Sequence, residues 1–276
     1  MKIALIVAGA RLLILAGYLF LIMRGRGLGI EKYKNVKFAH RGLHGGGCAE
    51  NSMTAFGKAV DAGFGIELDV RLSADGELVV FHDDTLLRVC GDERAVRDVP
   101  YSELKDIRLL DTEDTVPRFK DVLALVGGRV PLLVEIKEDA FDYAVSDKTC
   151  EILSEYEGEY IIESFNPLSL GNVRKRLPRV PRGILSCNFM KDKRMRSARN
   201  FLLGALLLNF IARPQFVAYE HTDAGCISQK ILGRLFRTVR FCWTVRSQAE
   251  ENEAYKNGFN SVIFENYIPE RENNEA

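Results

Sequence analysis

The stretch GIELDVRLSADGELVVFH, residues 65–82, decides the fold that we predict for this chain. Its two apolar runs, GIELDVRL (65–72) and ELVVFH (77–82), are rich in β-branched residues, and only the four residues 73–76 separate them. An Asp-Gly pair between two such runs is typical of a β-hairpin, and four residues are too few for a parallel crossover. We therefore predict that residues 77–82 form a strand that folds back antiparallel on residues 65–72.

Seven more short apolar runs predict further strands, and helical patterns lie between most of them, for example at 52–62 and 117–127. This alternation favours a parallel sheet with helices outside it. With the antiparallel arm set aside, eight parallel strands remain, so the predicted fold class is α/β, a TIM (β/α)8 barrel. The seven runs are VKFAH (36–40), PLLVEIK (131–137), YIIESF (160–165), RGILSC (182–187), QFVAYE (215–220), RFCWTV (240–245) and SVIFEN (261–266).

Composition limits the classes of partner. The 276 residues balance 38 Lys and Arg against 38 Asp and Glu, so the formal net charge is zero. This balance argues against a nucleic-acid partner held by bulk positive charge. Hydrophobic residues make up 47% and charged residues 28% of the chain, which is typical of a globular protein. The six cysteines are scattered without a CxxC or a disulfide-framework spacing, so we expect reduced thiols.

The first 23 residues are apolar except for Lys2 and Arg11, and they predict a membrane helix. As one helix, residues 3–23 would be about 30 Å long, close to the thickness of a hydrocarbon core. A signal peptide is one alternative, but its small-residue pattern at 8–10 comes too early for a cleavage site. A buried helix of the soluble domain is another, because Arg11 near mid-span would cost about 3 kcal/mol in a bilayer.

Basic residues after this segment set its expected orientation, because only Lys2 and the amino terminus lie on the other side. The positive-inside rule then places the main domain in the cytoplasm. We expect a transmembrane helix at 1–23, a basic linker at 24–35 and a single barrel domain at 36–270. The basic residues are Arg24, Arg26, Lys32, Lys34 and Lys37.

Two segments of the remaining chain do not have the pattern of ordinary barrel elements. Residues 84–116 are long, charged and weakly periodic, and we expect them to form an excursion on the barrel. The run FLLGALLLNFIA, residues 201–212, is too short to span a bilayer. We interpret it first as a buried barrel helix and second as a lipid-facing surface.

Acidic residues on two neighbouring strands indicate a metal site. Glu67 and Asp69 are two residues apart on one strand, so their side chains point to the same face. Two carboxylates inside a barrel would repel each other unless a cation holds them. Glu135 adds a third carboxylate from the run PLLVEIK, and an all-oxygen set suits one divalent cation, Mg²⁺ or Ca²⁺, rather than zinc.

Two histidines and two basic residues complete the group. His40 ends the first strand and His82 ends the hairpin arm, and barrel active sites lie at the carboxyl ends of the strands. A tight hairpin would set Asp69 across from about His82. Arg41 and Lys137 could bind phosphate oxygens. Two imidazoles, a hard cation and two basic groups are together the catalytic groups that cleavage of a phosphodiester requires.

The order and spacing of these motifs resemble those of the glycerophosphodiester phosphodiesterase family over about residues 36–268. One HRG or HD motif would mean little, whereas the ordered set is specific. The resemblance implies a barrel of the phosphatidylinositol phospholipase C type. The matching motifs are His40-Arg41-Gly42, Glu50-Asn51-Ser52, Glu67-Leu68-Asp69-Val70, Asp75-Gly76, Val80-Phe81-His82-Asp83, Glu135-Ile136-Lys137, Ser164-Phe165 and Trp243-Thr244-Val245.

The resemblance also implies roles for single residues. His40 and His82 would be the acid/base pair, with His40 as the base and His82 as the acid to the leaving alkoxide. The other roles are metal ligation by Glu67, Asp69 and Glu135, phosphate contact by Arg41 and Lys137, an extra ligand or orienter at Glu50, and pocket walls at Phe165 and Trp243. One departure is Ile263-Phe264-Glu265-Asn266 near the chain end, where the family often has Ile-Thr-Asp or Ile-Thr-Asn, and it concerns the edge of the pocket.

The leading hypothesis is a membrane-anchored, metal-dependent phosphodiesterase that converts glycerophosphodiesters to an alcohol and sn-glycerol 3-phosphate. A lysophospholipase D that takes lysophospholipid from the bilayer is the enzymatic alternative. A catalytically inactive, membrane-tethered binding or regulatory barrel is an alternative of another class. Attack by water and attack by a substrate hydroxyl, through a cyclic phosphate, both stay open.

Overall fold

A computed structural model describes residues 2–139, 141–223 and 225–270. Its strands fall on the nine runs that the sequence pattern predicts, each within two residues at either end. They are β1 (Lys37–Ala39), β2 (Gly65–Leu72), β3 (Leu78–Val80), β4 (Leu132–Ile136), β5 (Tyr160–Ser164), β6 (Arg182–Ser186), β7 (Phe216–Glu220), β8 (Val239–Val245) and β9 (Ser261–Phe264).

The eight strands other than β3 form a closed parallel barrel, which confirms the predicted fold. The sheet runs β1-β9-β8-β7-β6-β5-β4-β2-β3, and β1 also pairs with β2 to close the ring. The arm β3 pairs antiparallel with β2 as predicted, with Val70 opposite Val80. The Phe81 amide donates to the Asp69 carbonyl at 3.0 Å, so Asp69 faces Phe81, one residue before His82.

One helix precedes β1, and the other helices cover the outside of the barrel between successive strands. They are α1 (Lys2–Leu21), α2 (Met53–Asp61), α3 (Leu87–Cys90), α4 (Tyr101–Leu104), α5 (Phe119–Val126), α6 (Ala144–Leu153), α7 (Pro167–Arg176), α8 (Ala198–Gly204), α9 (Asn209–Ala212), α10 (Ile227–Arg234) and α11 (Gln248–Lys256). The short α3 and α4 belong to the excursion at 84–116, which has its own apolar cluster with Val89, Val96 and Leu104.

An apolar layer fills the barrel interior on the side where the strands begin. Leu133 and Ile161 belong to this layer, together with the stacked rings of Phe38, Phe216 and Phe241. Because side chains two residues apart share a face, Glu135 lies one layer above Leu133, and Glu163 one layer above Ile161. The polar residues are therefore placed at the carboxyl end of the barrel.

Residues 24–35, which the sequence predicts to be a basic linker, contact the barrel. Ile30 and Tyr33 are buried and join the apolar layer at the start of the strands. The Gly25 amide donates to the Pro214 carbonyl at 2.9 Å. This segment therefore fixes the end of α1 to the barrel.

One helix among the described residues has the length and composition to cross a membrane, and it is α1. Its side chains are exposed from Lys2 to Gly17, and Met1 of the predicted segment lies outside the described residues. Its carboxyl end contacts the barrel through Tyr18, whose hydroxyl lies 2.8 Å from Ser228 Oγ, and through Phe20, whose ring stacks on Phe210 at 5.7 Å. The described part of α1 is thus exposed for most of its length and docked at one end.

The apolar run at 201–212 forms two short helices, α8 and α9, and not the single buried helix of the first interpretation. Leu206 and Ala212 are buried, whereas Phe201 and Leu202 are exposed. The run packs against two different parts of the structure. Leu206 and Ala212 are buried against the barrel, and Phe210 stacks on Phe20 of α1.

Candidate active site

Three buried carboxylates lie together at the carboxyl end of the barrel. Asp69 on β2 pairs in register with Glu135 on β4, and Glu67 precedes Asp69 by two residues on the same face. One oxygen of each lies within 4.8 Å of the others. Burial and the charges of Asp69 and Glu135 raise the pKa of Glu67 well above its usual range. Burial also raises the pKa of Glu135 to about 7, although Lys137 acts against it.

Lys137 lies inside this carboxylate cluster. Its Nζ is 2.7 Å from Glu135 Oε1 and 3.1 Å from Asp69 Oδ1, and only 12% of its side chain is exposed. Burial opposes the low pKa of Asp69, but the charges of Lys137, His82 and Arg41 hold that pKa well below its usual range. The structure thus places Lys137 beside two of the proposed metal ligands.

Arg41 joins the cluster from the first strand. Its backbone has a positive φ of 56°, which turns its amide toward Glu67 Oε2 at 2.9 Å. Its guanidinium donates from Nη1 to Glu50 at 2.8 Å, and its Nε lies 3.4 Å from Asp69 Oδ2. The next residue must be glycine, because a Cβ at Gly42 would lie 2.8 Å from that of Ala55.

Glu50 lies outside the three-carboxylate cluster. Its two oxygens accept from Arg88 at 2.7 and 2.8 Å, and one of them also accepts from Arg41. Two roles are predicted for Glu50, and these contacts favour orientation of Arg41 over metal ligation. Its neighbour Asn51, which was part of a motif without an assigned role, donates from Nδ2 to Asp69 at 2.8 Å.

His40 faces the cluster with one ring nitrogen and a separate carboxylate with the other. Its Nε2 lies 4.0 Å from Glu67 Oε2, and its Nδ1 lies 2.6 Å from Glu265 Oε2. Because a carboxylate only accepts, Nδ1 carries the proton and Nε2 has the free lone pair. Burial lowers the pKa of His40, against the hydrogen bond to Glu265, which raises it.

His82 on the hairpin arm is also held at Nδ1 by a carboxylate. Its Nδ1 lies 2.6 Å from Asp83 Oδ1, and the other oxygen of Asp83 accepts from Arg88 at 2.5 Å. The backbone carbonyl of His82 accepts from both Nε and Nη2 of Arg71, which fixes the end of the arm. Burial lowers the pKa of His82, whereas the charge of Asp69 raises it.

Sequence reasoning gave no role to two glutamates of the site. Glu265 holds His40, and its other oxygen accepts from Arg246 Nε at 2.7 Å. Its signal was the departure from the family pattern at 264–266. Glu163 on β5 pairs in register with Glu135, is 1% exposed, and has at Oε2 no hydrogen-bond partner among the described residues. Glu163 follows Ile161 by two residues on the same strand, so its side chain points to the same face. This spacing could have predicted that Glu163 points into the barrel beside Glu135.

The two predicted wall residues lie against each other. The rings of Phe165 and Trp243 meet edge to face with centroids 5.5 Å apart, and Trp243 Nε1 donates to the Ala218 carbonyl at 3.2 Å. Both pack on the apolar layer of the barrel. Phe165 also lines a cavity of about 1000 Å³ that reaches Glu135 and Lys137.

The carboxylate cluster fits a hard divalent cation. Glu67, Asp69 and Glu135 are all buried and supply only oxygen atoms, which is the donor set of Mg²⁺ and Ca²⁺. Burial, and after it the charges of Asp69 and Glu135, raise the pKa of Glu67, and a cation at this position would favour the ionised carboxylates. The resemblance to a metal-dependent family and the chemistry of the site agree on this point.

Comparisons with known proteins give one consistent result. The profile of the Glycerophosphoryl diester phosphodiesterase family matches residues 40–267. The chain is 31% identical over 243 residues to a glycerophosphodiester phosphodiesterase of Caldanaerobacter subterraneus subsp. tengcongensis, and the match covers 83% of this chain and 93% of that protein. It is 29% identical over 167 residues to a lysophospholipase D of Rattus norvegicus, covering 53% and 52% of the two chains.

A solved structure extends the likeness to three dimensions. It is a phosphodiesterase of Oleispira antarctica in complex with the product sn-glycerol-3-phosphate. The two folds agree with a TM-score of 0.70 at 20% identity, over 85% of this chain and 94% of that one. At this identity the likeness is one of fold.

Proposed function

Since this chain belongs to the glycerophosphoryl diester phosphodiesterase family, we propose that it is a metal-dependent phosphodiester hydrolase. It cleaves glycerophosphodiesters to an alcohol and sn-glycerol 3-phosphate. The observation that carries the proposal is the position of two carboxylate-bound histidines, His40 and His82, beside a buried cluster of three carboxylates. An inactive regulatory barrel would have no need to keep this set together.

The metal site would consist of Glu67, Asp69 and Glu135. A divalent cation held there would polarise a phosphoryl oxygen and neutralise charge that develops on the phosphate. Arg41 and Lys137 would bind the remaining phosphate oxygens. Carboxylates beside the metal site hold both side chains in place. Arg41 and Lys137 would therefore supply fixed positive charge close to the phosphate.

His40 would act as the general base. Its lowered pKa keeps it neutral near pH 7, and the hydrogen bond to Glu265 places the free lone pair on Nε2, which faces the cluster. Nε2 would take the proton of the attacking hydroxyl, which belongs either to water or to the substrate. His82, held at Nδ1 by Asp83, would act in its doubly protonated form and give the proton of Nε2 to the leaving alkoxide.

The test is a turnover assay of the full-length protein with Mg²⁺ and, separately, with Ca²⁺, on a panel of glycerophosphodiesters. Release of sn-glycerol 3-phosphate is followed with a coupled dehydrogenase. His40→Ala and His82→Ala should each lose about 100-fold or more in kcat. His221→Ala is the matched control, because His221 lies outside the cluster. A metal-loaded wild-type protein that turns over no member of the panel would disprove the proposal.

We also propose that the protein is a single-pass membrane protein whose catalytic domain lies in the cytoplasm and acts in lipid metabolism. The exposed apolar surface of α1 supports the membrane anchor. The basic residues Arg24 and Arg26 after it support the cytoplasmic position of the catalytic domain. Residues 1–23 would be the anchor, residues 24–35 the connection and residues 36–270 the catalytic domain.

Lysophospholipase D activity is the second candidate. It is favoured by one observation, namely that the cavity of about 1000 Å³ at the carboxylate cluster continues along apolar side chains. Such a surface is more than a small polar glycerophosphodiester needs.

A further inference from the structure

A second group of side chains that can ligate a metal lies beside His40, at the ring nitrogen that does not face the carboxylate cluster. It consists of His40, His44 and Glu265, and one ligand atom of each lies within 4.8 Å of the others. Nδ1 of His40 is 2.6 Å from Glu265 Oε2, and Nε2 of His44 is 3.8 Å from the same oxygen. Nε2 of His40 faces Glu67 at 4.0 Å. The His40 ring therefore stands between two groups of potential ligands, with one nitrogen toward each.

Barrel closure holds two of these three residues in place. His40 and Glu265 are the residues that directly follow β1 and β9, and these strands pair in register with Ala39 opposite Phe264. The His40 amide donates to the Phe264 carbonyl at 2.9 Å. Oε1 of Glu265 accepts from Arg246, which leaves Oε2 directed at the histidines. A ligating carboxylate that a further residue orients in this way is typical of metal sites.

The third residue, His44, lies on a loop that has room to adjust. The glycines at 45–47 follow it and all have positive φ, and a Cβ added to any of them would meet no atom within 4 Å. The Gly45 amide donates to the Cys48 carbonyl at 3.0 Å, which closes the loop after His44. Both His44 and Glu265 line a cavity of about 420 Å³, which gives a small ion a path from solvent.

The donor atoms of this group differ from those of the carboxylate cluster and select a different ion. Imidazole nitrogen suits Zn²⁺ and its neighbours in the first transition row, whereas Mg²⁺ and Ca²⁺ prefer oxygen. Two histidines and a glutamate, with a fourth position open to water, are one of the common ligand sets of zinc. With zinc–ligand bonds of about 2.0–2.1 Å, tetrahedral ligand atoms lie roughly 3.3 Å apart. The distances of 2.6 and 3.8 Å lie on either side of this value, so a small movement of His44 completes the site.

We propose that His40, His44 and Glu265 form a second metal site, which binds Zn²⁺ or a similar transition-metal ion and inhibits the enzyme. The inhibition rests on the proposed role of His40 as the general base, whereas the binding of the ion does not. Zinc takes the lone pair of Nδ1, and the single proton of the neutral ring moves from Nδ1 to Nε2. Nε2 is then a donor, so it has no lone pair with which to take the proton of the attacking hydroxyl.

His44→Asn tests the site without changing either residue of the catalytic pair. It removes one zinc ligand from a loop position that is partly exposed. His221→Asn is the matched control, because both histidine side chains are 17% exposed and Nε2 of His221 also lies 3.8 Å from a glutamate, Glu250. His221 belongs to neither group of potential metal ligands among the described residues.

Binding is measured on the untagged full-length protein in lipid nanodiscs, saturated with Mg²⁺ so that the carboxylate cluster is occupied. Calorimetry with Zn²⁺, with empty nanodiscs as the blank, should show one site in the wild type. His44→Asn should weaken this site by about 100-fold or more, because it removes one of three ligands, and His221→Asn should not. Co²⁺ in place of Zn²⁺ should give the visible absorption of a tetrahedral site in the wild type and the control, but not in His44→Asn.

Inhibition is measured as turnover of a glycerophosphodiester with saturating Mg²⁺ and increasing Zn²⁺, and product is determined after chelation. Each variant is compared with its own rate without zinc, so a change in basal activity does not affect the result. His44→Asn should need about 100-fold more zinc for the same inhibition.

Four results separate the possible outcomes. A wild type that binds no zinc, or equal zinc affinity in wild type and His44→Asn, would overturn the site. Inhibition that excess Mg²⁺ relieves would place the zinc at the carboxylate cluster instead. Zinc that binds through His44 without slowing turnover would overturn the inhibitory effect. If no glycerophosphodiester is hydrolysed while zinc binds through His44, the proposed function is wrong and the zinc site stands.

Discussion

His40 Nδ1 lies 2.6 Å from Glu265 Oε2, and Arg246 Nε lies 2.7 Å from the other oxygen of the same carboxylate. The second histidine has a matching arrangement, in which Asp83 bonds to His82 on one side and to Arg88 on the other. Each imidazole is therefore oriented by a carboxylate that an arginine holds in turn. This pairing leaves Nε2 of each histidine free of its orienting carboxylate.

Replacing Glu265 with glutamine should reduce kcat about 100-fold while KM changes little, because the neutral amide no longer selects the tautomer in which Nε2 of His40 is free. Steady-state kinetics on a glycerophosphodiester measure the effect. Glu253→Gln, at an exposed glutamate of α11, is the control. A Glu265→Gln enzyme with wild-type kcat would show that Glu265 does not position His40.

The same substitution should change how stability depends on pH. Hydrogen bonds with His40 and His44 hold the pKa of Glu265 well below its usual range. A carboxyl whose pKa is lower in the folded state stabilises the protein above its unfolded pKa of about 4.3, and this stabilisation is lost as the pH falls through the folded pKa.

The melting temperature of Glu265→Gln should therefore lie below that of the wild type at pH 7, and the difference should begin to shrink as the pH falls below about 4. Thermal unfolding followed by circular dichroism across this range measures the difference. A gap that stays constant with pH would mean that the glutamine acts through packing and not through charge.

Glu67→Gln should weaken binding of Mg²⁺ or Ca²⁺ by about 100-fold or more, because it removes the negative charge from one of the three ligands. Isothermal calorimetry with each ion measures the affinity directly. Glu50→Gln is the informative comparison, since Glu50 bonds to Arg41 and Arg88 outside the cluster. We expect it to keep the metal affinity, and a comparable loss would make Glu50 a ligand after all.

The orientation of the chain can be tested with reporters fused to its carboxyl end. We expect a fluorescent protein to be active there and an alkaline phosphatase to be inactive, because Arg24 and Arg26 should keep the catalytic domain in the cytoplasm. Replacing both arginines with glutamate should reduce the fluorescence ratio of the fusion. An active phosphatase fusion to the unaltered chain would place the domain on the opposite side.

The sequence alone determined the barrel and the clustering of its three carboxylates, because both depend on local patterns. The Asp-Gly turn at 75–76 identified β3 as the antiparallel arm. The two-residue period of a strand placed Glu67 and Asp69 on one face. Adjacent β2 and β4 then had to bring Glu135 to the same level, as the register of Asp69 with Glu135 shows.

Only the tertiary structure decided which side chains hold these groups. Glu265 and His40 are 225 positions apart, and they meet because barrel closure sets β9 beside β1. The division of the run 201–212 into α8 and α9 depends on two surfaces that the run must cover at once, the cavity and the end of α1. A strand or helix pattern reports the faces of one segment, whereas these contacts depend on how distant segments pack.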